Sequence, residues 1–272
     1  MISKPVLLLF ISTLSFSAFS QKLPDKQEIS LRAPANIKID GKTTEWKNGL
    51  QAYNKATEVF YTLSNDDDKL YLTVQATDPN IIVKIVRGGI TLTINPSLKK
   101  NDKDGVKITY PAYNDKYKPL YLILDNKPPT TKDIVKNKMQ ADSFMTVRNK
   151  QLTESIKFIE VSGVKTITDN LISVYNDEGI RAESRFDNKF CYTYELAIPL
   201  KDINFTNNAP TKFMYNIMLN GVVPKGSTIV IPRPGMVTYT DVGGQNYMIG
   251  SGAQAFILAF ATDFWGEYTL SR

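Results

Sequence analysis

From residue 70 the chain alternates, with Leu70, Leu72, Val74 and Ala76 on one side and Tyr71, Thr73, Gln75 and Thr77 on the other. A two-residue period is that of a strand with one buried and one wet face. Asn65, Asp66, Asp67 and Asp68 ahead of it have side chains that hydrogen-bond their own backbone in turns, and residues 59–63 supply an antiparallel partner. The same alternation marks residues 90–94, 106–110, 190–198 and 212–220. In the third of these, Phe190, Tyr192, Tyr194, Leu196 and Ile198 share one face, and Cys191, Thr193, Glu195 and Ala197 the other. Turn signals separate the runs: Asp40-Gly41, Asp78-Pro79-Asn80, Asn176 to Gly179, and Asp187-Asn188-Lys189. The apolar run Ala255 to Ala259 and the stretch 266–270 are read as late strands closing the sheet. Two stretches resist the pattern: residues 131–150 read as a helix or an irregular excursion, and the glycine- and proline-rich 221–252 as loop with short strands. Gln21 to Ser30 reads as polar and loose, and Trp46, close to a turn, as a plug over one end of a core.

Many short strands with turns at modest spacing predict an all-β fold, an antiparallel β-sandwich, rather than alternating βα units. Residues 21–272 are expected to form one domain, with an irregular or partly helical insertion around 113–170. A mature chain of about 250 residues suffices for a sizeable core.

The first 20 residues are set apart from that fold. A basic Lys4 precedes a largely apolar run from Val6 to Phe19, and Ala18-Phe19-Ser20 places small residues before a cut at Gln21. This is the pattern of an export signal removed on processing, so the mature protein is expected in the periplasm, at the outer surface or secreted. No later apolar run is long enough for a membrane helix. Loss of Lys4 lowers the formal charge from +6 to +5. The charges are interspersed, and no stripe of Lys and Arg with a nucleic-acid motif stands out, so nucleic acid is not an expected partner.

With 0 histidines the chain lacks Ser-His-Asp and Cys-His catalysis, the usual zinc sites and histidine-ligated haem. Carboxylate-only glycoside hydrolysis survives that filter. The single cysteine, Cys191, among Phe190, Tyr192 and Tyr194, reads as packed in a strand.

The order of three segments, Ile39-Asp40-Gly41-Lys42-Thr43-Thr44-Glu45-Trp46, then Asp68 to Asp78, then Gly88-Gly89-Ile90-Thr91-Leu92-Thr93-Ile94-Asn95-Pro96, resembles the family 9 carbohydrate-binding module and its DOMON-like relatives. Tyr194-Glu195-Leu196-Ala197-Ile198-Pro199-Leu200 is similar to the penultimate-strand signature of that group, and Thr262-Asp263-Phe264-Trp265-Gly266 to its closing segment. The resemblance implies a jelly-roll-like sandwich accompanying glycan-degrading enzymes in exported bacterial proteins. It further implies a terminal sugar clamped by two aromatic rings and loops braced by calcium. Trp46 and Trp265 lie within motifs that read as structural, so the clamping tryptophans have no match. Haem, known in some relatives, uses histidine with methionine and is not expected.

Sugar C–H faces pack on rings while hydroxyls demand donors and acceptors. Tyr113 and Tyr117, interleaved with Asn114, Asp115 and Lys116, and Tyr239 and Tyr247 in the late glycine-rich tract are the candidate ring residues. Asp66 and Asp68, with Asp102 and Asp104, offer hard oxygens suited to structural calcium. Glu183 and Glu195, on predicted strands, are the carboxylate pair a hydrolase would need, although Arg181 and Arg185 beside Glu183 suggest a charged outer face. The sequence thus points to a non-catalytic exported module binding a polysaccharide or oligosaccharide end. Its rivals are a structural or protein-interaction sandwich without a sugar site and, further off, a carboxylate-only glycoside hydrolase.

Overall fold

The computed structural model describes residues 22–100, 103, 105–114, 116–120, 130–203 and 212–272. Two antiparallel sheets face each other. Sheet A runs in the order β1 (Ala52–Asn54), β2 (Val59–Asn65), β3 (Lys69–Ala76), β9 (Tyr192–Pro199), β8 (Arg181–Phe186). Sheet B runs in the order β14 (Thr262–Thr269), β10 (Lys212–Leu219), β4 (Ile90–Asn95), β5 (Val106–Ala112), β6 (Phe158–Ser162), β7 (Leu171–Ser173). The expected hairpins 59–63 with 70–76 and 181–186 with 192–198 both form, in continuous register. The alternating apolar sets, among them Leu70, Leu72 and Val74 from sheet A and Ile90, Leu92 and Ile94 from sheet B, are buried in one cluster.

Aromatic residues tie the layers together. The Tyr61 and Tyr215 hydroxyls lie 2.9 Å apart across the core, and the Tyr110 ring packs 5.6 Å from that of Tyr194. Tyr215 can lie where it does because its register partner on β14 is Gly266, where an added Cβ would fall 2.2 Å from Tyr215 Cζ. That glycine is needed for close approach rather than for its backbone angles.

Among the described residues, three α-helices decorate the sandwich. α1 (Pro79–Gly88) starts at Asp78, whose carboxylate accepts from the amides of Asn80 and Ile81, with Pro79 at the first helical position. It buries Ile81, Ile82 and Ile85, and also Lys84, whose ammonium donates to Thr262 Oγ1 at 3.0 Å and whose pKa burial pushes down to about 8. α2 (Ile134–Ser155), capped by Asp133, is the helical part of the expected insertion. Residues 121–129 of that insertion lie outside the described residues, as do residues 1–21.

α3 (Gly252–Ala259) corrects the expected strand at 255–259. A short unbroken apolar run has no polar positions to reveal its period. Here Ala255, Leu258 and Ala259 take helical spacing and turn inward, with Ala255 and Ala259 packing on Val237. Val237 belongs to a third antiparallel sheet, β11 (Thr228–Arg233), β12 (Met236–Thr240) and β13 (Asn246–Ser251), whose strands are those of the tract expected as loop with short strands.

A second correction concerns the face of sheet A turned away from the core. The alternation predicts it wet, yet Thr62, Ser64, Tyr71, Thr73 and Glu195 are all buried. The chain from residue 22 to 51, expected to be loose at its start, lies over them. Gln27 is buried, donating from its side-chain nitrogen to the Leu63 carbonyl and accepting from the Leu63 amide at 2.7 Å each. Polar side chains tolerate burial when they find hydrogen-bond partners, and the cover provides them for Thr62, Thr73 and one oxygen of Glu195, whereas Ser64 Oγ has none among the described residues.

Gly266→Ala is expected to lower stability by about 3 kcal/mol through overpacking against Tyr215. Tyr61→Phe, which removes a hydroxyl shared by Tyr215 and the Gln27 amide, should cost about 1–2 kcal/mol. Urea unfolding of the two variants beside the parent checks both values and their order.

Candidate functional site

The outer face of sheet A is organised in rows. Register places Thr62, Thr73, Glu195 and Glu183 side by side across β2, β3, β9 and β8. The covering segment hydrogen-bonds three members of this row, Thr62, Thr73 and Glu195. The Gln51 amide donates to Thr62 Oγ1 at 2.9 Å, and Trp46 Nε1 to Thr73 Oγ1 at 3.2 Å. The amides of Asp40 and Gly41 donate to Glu195 Oε2 at 2.9 and 2.8 Å. Trp46 therefore covers the outside of sheet A, where its indole N–H finds a hydroxyl. Gly41, with φ +72°, takes the left-handed conformation that presents two successive amides to one carboxylate oxygen.

Glu195 is 0% exposed, and its Oε1 has no hydrogen-bond partner. Burial pushes its pKa up to about 7, against the lowering effect of the two amides and with help from the nearby charges of Glu45 and Asp40. Glu183 directly opposite is also raised, mainly by burial. The two carboxylates expected as a pair are thus register partners, but Glu195 is sealed beneath the Asp40–Gly41 turn. A substrate would have to displace that turn to touch both.

The next row along the strands borders a cleft, with Tyr71 and Ala197 largely buried at its base and Arg181 exposed. Register sets Tyr71, Ala197 and Arg181 side by side. They floor a cleft of about 570 Å³ whose walls include Ile37, Ile39, Lys69, Glu183 and Tyr175. Ala197, with its small side chain, leaves room between the tyrosine and the arginine. Tyr71 is anchored by its hydroxyl, which donates to Asp66 Oδ2 at 2.6 Å.

Tyr175 comes from the turn after edge strand β7 of sheet B and is 75% exposed. That turn is held by buried Asn176, which donates to the carbonyls of Ser173 and Ile180 at 2.8 Å each. Arg181 Nη1 in turn donates to the Asn176 carbonyl at 2.6 Å. An exposed ring on a braced turn beside a cleft is the arrangement that fits the flat C–H face of a cyclic ligand. The sequence carried one signal for it: an aromatic immediately ahead of Asn176-Asp177-Glu178-Gly179.

The residues proposed from sequence fall elsewhere. Tyr113, expected as an exposed ring, packs against the core, and its hydroxyl donates to the Val86 carbonyl at the end of α1. Tyr117 is half-buried and meets Phe158 edge-on with centroids 5.7 Å apart. Tyr239 and Tyr247 are brought together, stacked at 5.1 Å as register partners on β12 and β13. Rings stacked at that distance contact each other and leave no slot for a sugar between them.

Asp66 closes its turn. Oδ1 accepts from the amides of Asp68 and Lys69, and Oδ2 from Tyr71. Burial raises the Asp66 carboxyl, but these bonds together outweigh it and hold the pKa below its ordinary value. Both Asp66 oxygens are thus engaged within the turn itself. Among the described residues, no three His, Cys, Asp or Glu side chains gather to hold a metal ion. Asp102 and Asp104 lie outside the described residues. Among the described residues no helix is long and apolar enough to cross a membrane.

No family model matches the chain, and no curated protein does. Among solved structures, a family 9 carbohydrate-binding module from Caldicellulosiruptor kristjanssonii, in complex with glucose, aligns over 89% of this chain and 95% of its own, at 9% identity and a TM-score of 0.37. The likeness is distant and of overall fold alone. The functional reading rests on this chain's own geometry.

Glu195 favours the fold fully below its ordinary value of 4.5, and that contribution fades as pH rises through about 7, since the folded state holds the proton more tightly. Glu195→Gln keeps an oxygen for the two amides. It is expected to flatten the stability profile over that window and to gain up to about 3 kcal/mol at pH 8. Urea unfolding at several pH values checks this; parallel profiles for variant and parent would show that Glu195 does not titrate there.

Proposed function

We propose that this chain is a non-catalytic, exported module that binds a carbohydrate in the cleft on the outer face of sheet A. The observation that carries the reading is the exposed Tyr175 ring beside a cleft of about 570 Å³ floored by Tyr71, Ala197 and Arg181. A cleft of that size suits a small cyclic ligand, and it combines aliphatic walls and aromatic rings with a few charged groups that can orient hydroxyls. Binding rather than cleavage is favoured because Glu195, the only register partner of Glu183 on β9, is shut away from the cleft. Hydrolysis needs two carboxylates that both reach the scissile bond. Export rests on the apolar leader before Gln21.

A second reading, a protein-interaction domain, is favoured by one observation: Ile134, Val135, Met139 and Val147 of α2 remain exposed. Apolar side chains gathered on one element mark contact surfaces more often than scattered ones do.

A glycan array followed by calorimetry tests the first reading. Tyr175→Ala is expected to weaken the best glycan by about tenfold or more while leaving the unfolding midpoint unchanged, because the ring is exposed. Absence of saturable binding to every glycan, or affinity untouched by Tyr175→Ala, would leave the interaction reading in its place.

A further inference from the structure

The charges around the Tyr175 cleft are unequal, and we infer from them that the cleft selects an anionic sugar, one bearing a carboxylate or sulfate group, over a neutral one. This rests on the carbohydrate-binding reading above and specifies its ligand. Lys38, Lys69 and Arg181 line the cleft, against the single acid Glu183.

None of the three cations is held in a close ion pair, although the Asp66 carboxylate acts on Lys69 through space. Among the described residues, no carboxylate stands within ion-pair distance of Lys38, Lys69 or Arg181, whereas Asp40 is engaged by Lys42 and Asp67 by Arg32. Asp68 adjoins Lys69 in sequence without forming an ion pair with it, and Asp66 is turned to the amides of its own turn and to Tyr71.

Arg181 is the best placed of the three. Its hydrogen bonds run from Nη1 to neutral acceptors, the Asn176 carbonyl at 2.6 Å, Asn176 Oδ1 at 3.3 Å and the Ile180 carbonyl at 3.2 Å. These fix the guanidinium at the cleft floor without cancelling its charge, and they leave the Nε and Nη2 donors for an incoming anion. A guanidinium already held in place loses little freedom on binding, and charge-assisted bonds to carboxylate or sulfate are stronger than neutral ones.

Glu183 faces the same space, and its carboxyl is held above the ordinary range by burial and by its position beside Asp40. Its neighbour on the strand, Arg185, offsets its charge from the same face of β8. The field in the cleft is therefore positive, and a sugar stacked on Tyr175 would direct its acidic substituent toward Arg181 and Lys69.

The test compares three probes by calorimetry with the purified protein: an oligogalacturonate, a sulfated galacto-oligosaccharide and a neutral galacto-oligosaccharide of equal length. At least one anionic probe is expected to bind about tenfold or more tightly than the neutral one, with affinity falling as salt rises from 50 to about 500 mM. The double substitution Lys69→Gln with Arg181→Gln should erase the preference and the salt dependence, whereas Tyr175→Ala should weaken all probes that bind. The unfolding midpoint of each variant is measured alongside, and the salt dependence of the parent needs no variant. Which anionic probe binds distinguishes carboxylate from sulfate. Equal binding of neutral and anionic probes, lost in Tyr175→Ala, would overturn the charge selection and keep the sugar site. Failure of all three probes, where the array does find a glycan, would also overturn the selection; failure of probes and array together would overturn the sugar site itself.

Discussion

Everything in this molecule depends on covering sheet A from both sides. Its inner face meets sheet B, as the apolar alternation requires. Its outer face carries hydroxyls and a carboxylate in the middle of strands, and such groups can leave water only if something hydrogen-bonds to them. The segment from residue 22 to 51 does this for Thr62, Thr73 and one oxygen of Glu195 with backbone amides and the indole of Trp46. The polar row Thr62, Thr73, Glu195 is thus a fastening for the cover, not a solvated face.

That fastening also explains the shape of the candidate site. The cover passes the row Tyr71, Ala197, Arg181 at Ile37 and Ile39 before residues 40–51 cross the row Glu195, Thr73, Thr62, and the cleft lies where the first row meets those isoleucines. The same turn that buries Glu195 leaves its register partner Glu183 at the cleft, turning what the strand pattern offers as a carboxylate pair into one structural acid and one cleft-lining acid. Binding and structure divide along adjacent rows of one sheet.

The cleft is also a product of both layers. Its floor belongs to sheet A, yet Tyr175 arrives from the end of the edge strand of sheet B, and the Asn176 network joins that turn to Arg181. A ring contributed by one sheet and cations by the other meet only when the sandwich is closed.

By itself the sequence determined the sandwich. Period-two alternation at Leu70–Ala76, Tyr192–Ile198 and Phe213–Leu219, with turn residues between, specifies which faces enter the core and which hairpins form, because these are local properties of a pleated strand. It also marked Gly41 and Asp66 as turn residues, which they are. It left undecided the period of the unbroken run at Ala255, where every position is apolar. It also misassigned the environment of Thr73 and Glu195, since polarity alone cannot separate a wet face from one covered by amides. It chose Tyr113 for exposure from its polar neighbours and passed over Tyr175, because neither burial beside α1 nor projection beside a distant strand is written in nearby residues. Those choices were made by the tertiary structure: which chain segment lies over which row, and which edge of one sheet reaches the other, follow from packing between separate elements, in one case 155 positions apart, and not from neighbouring residues.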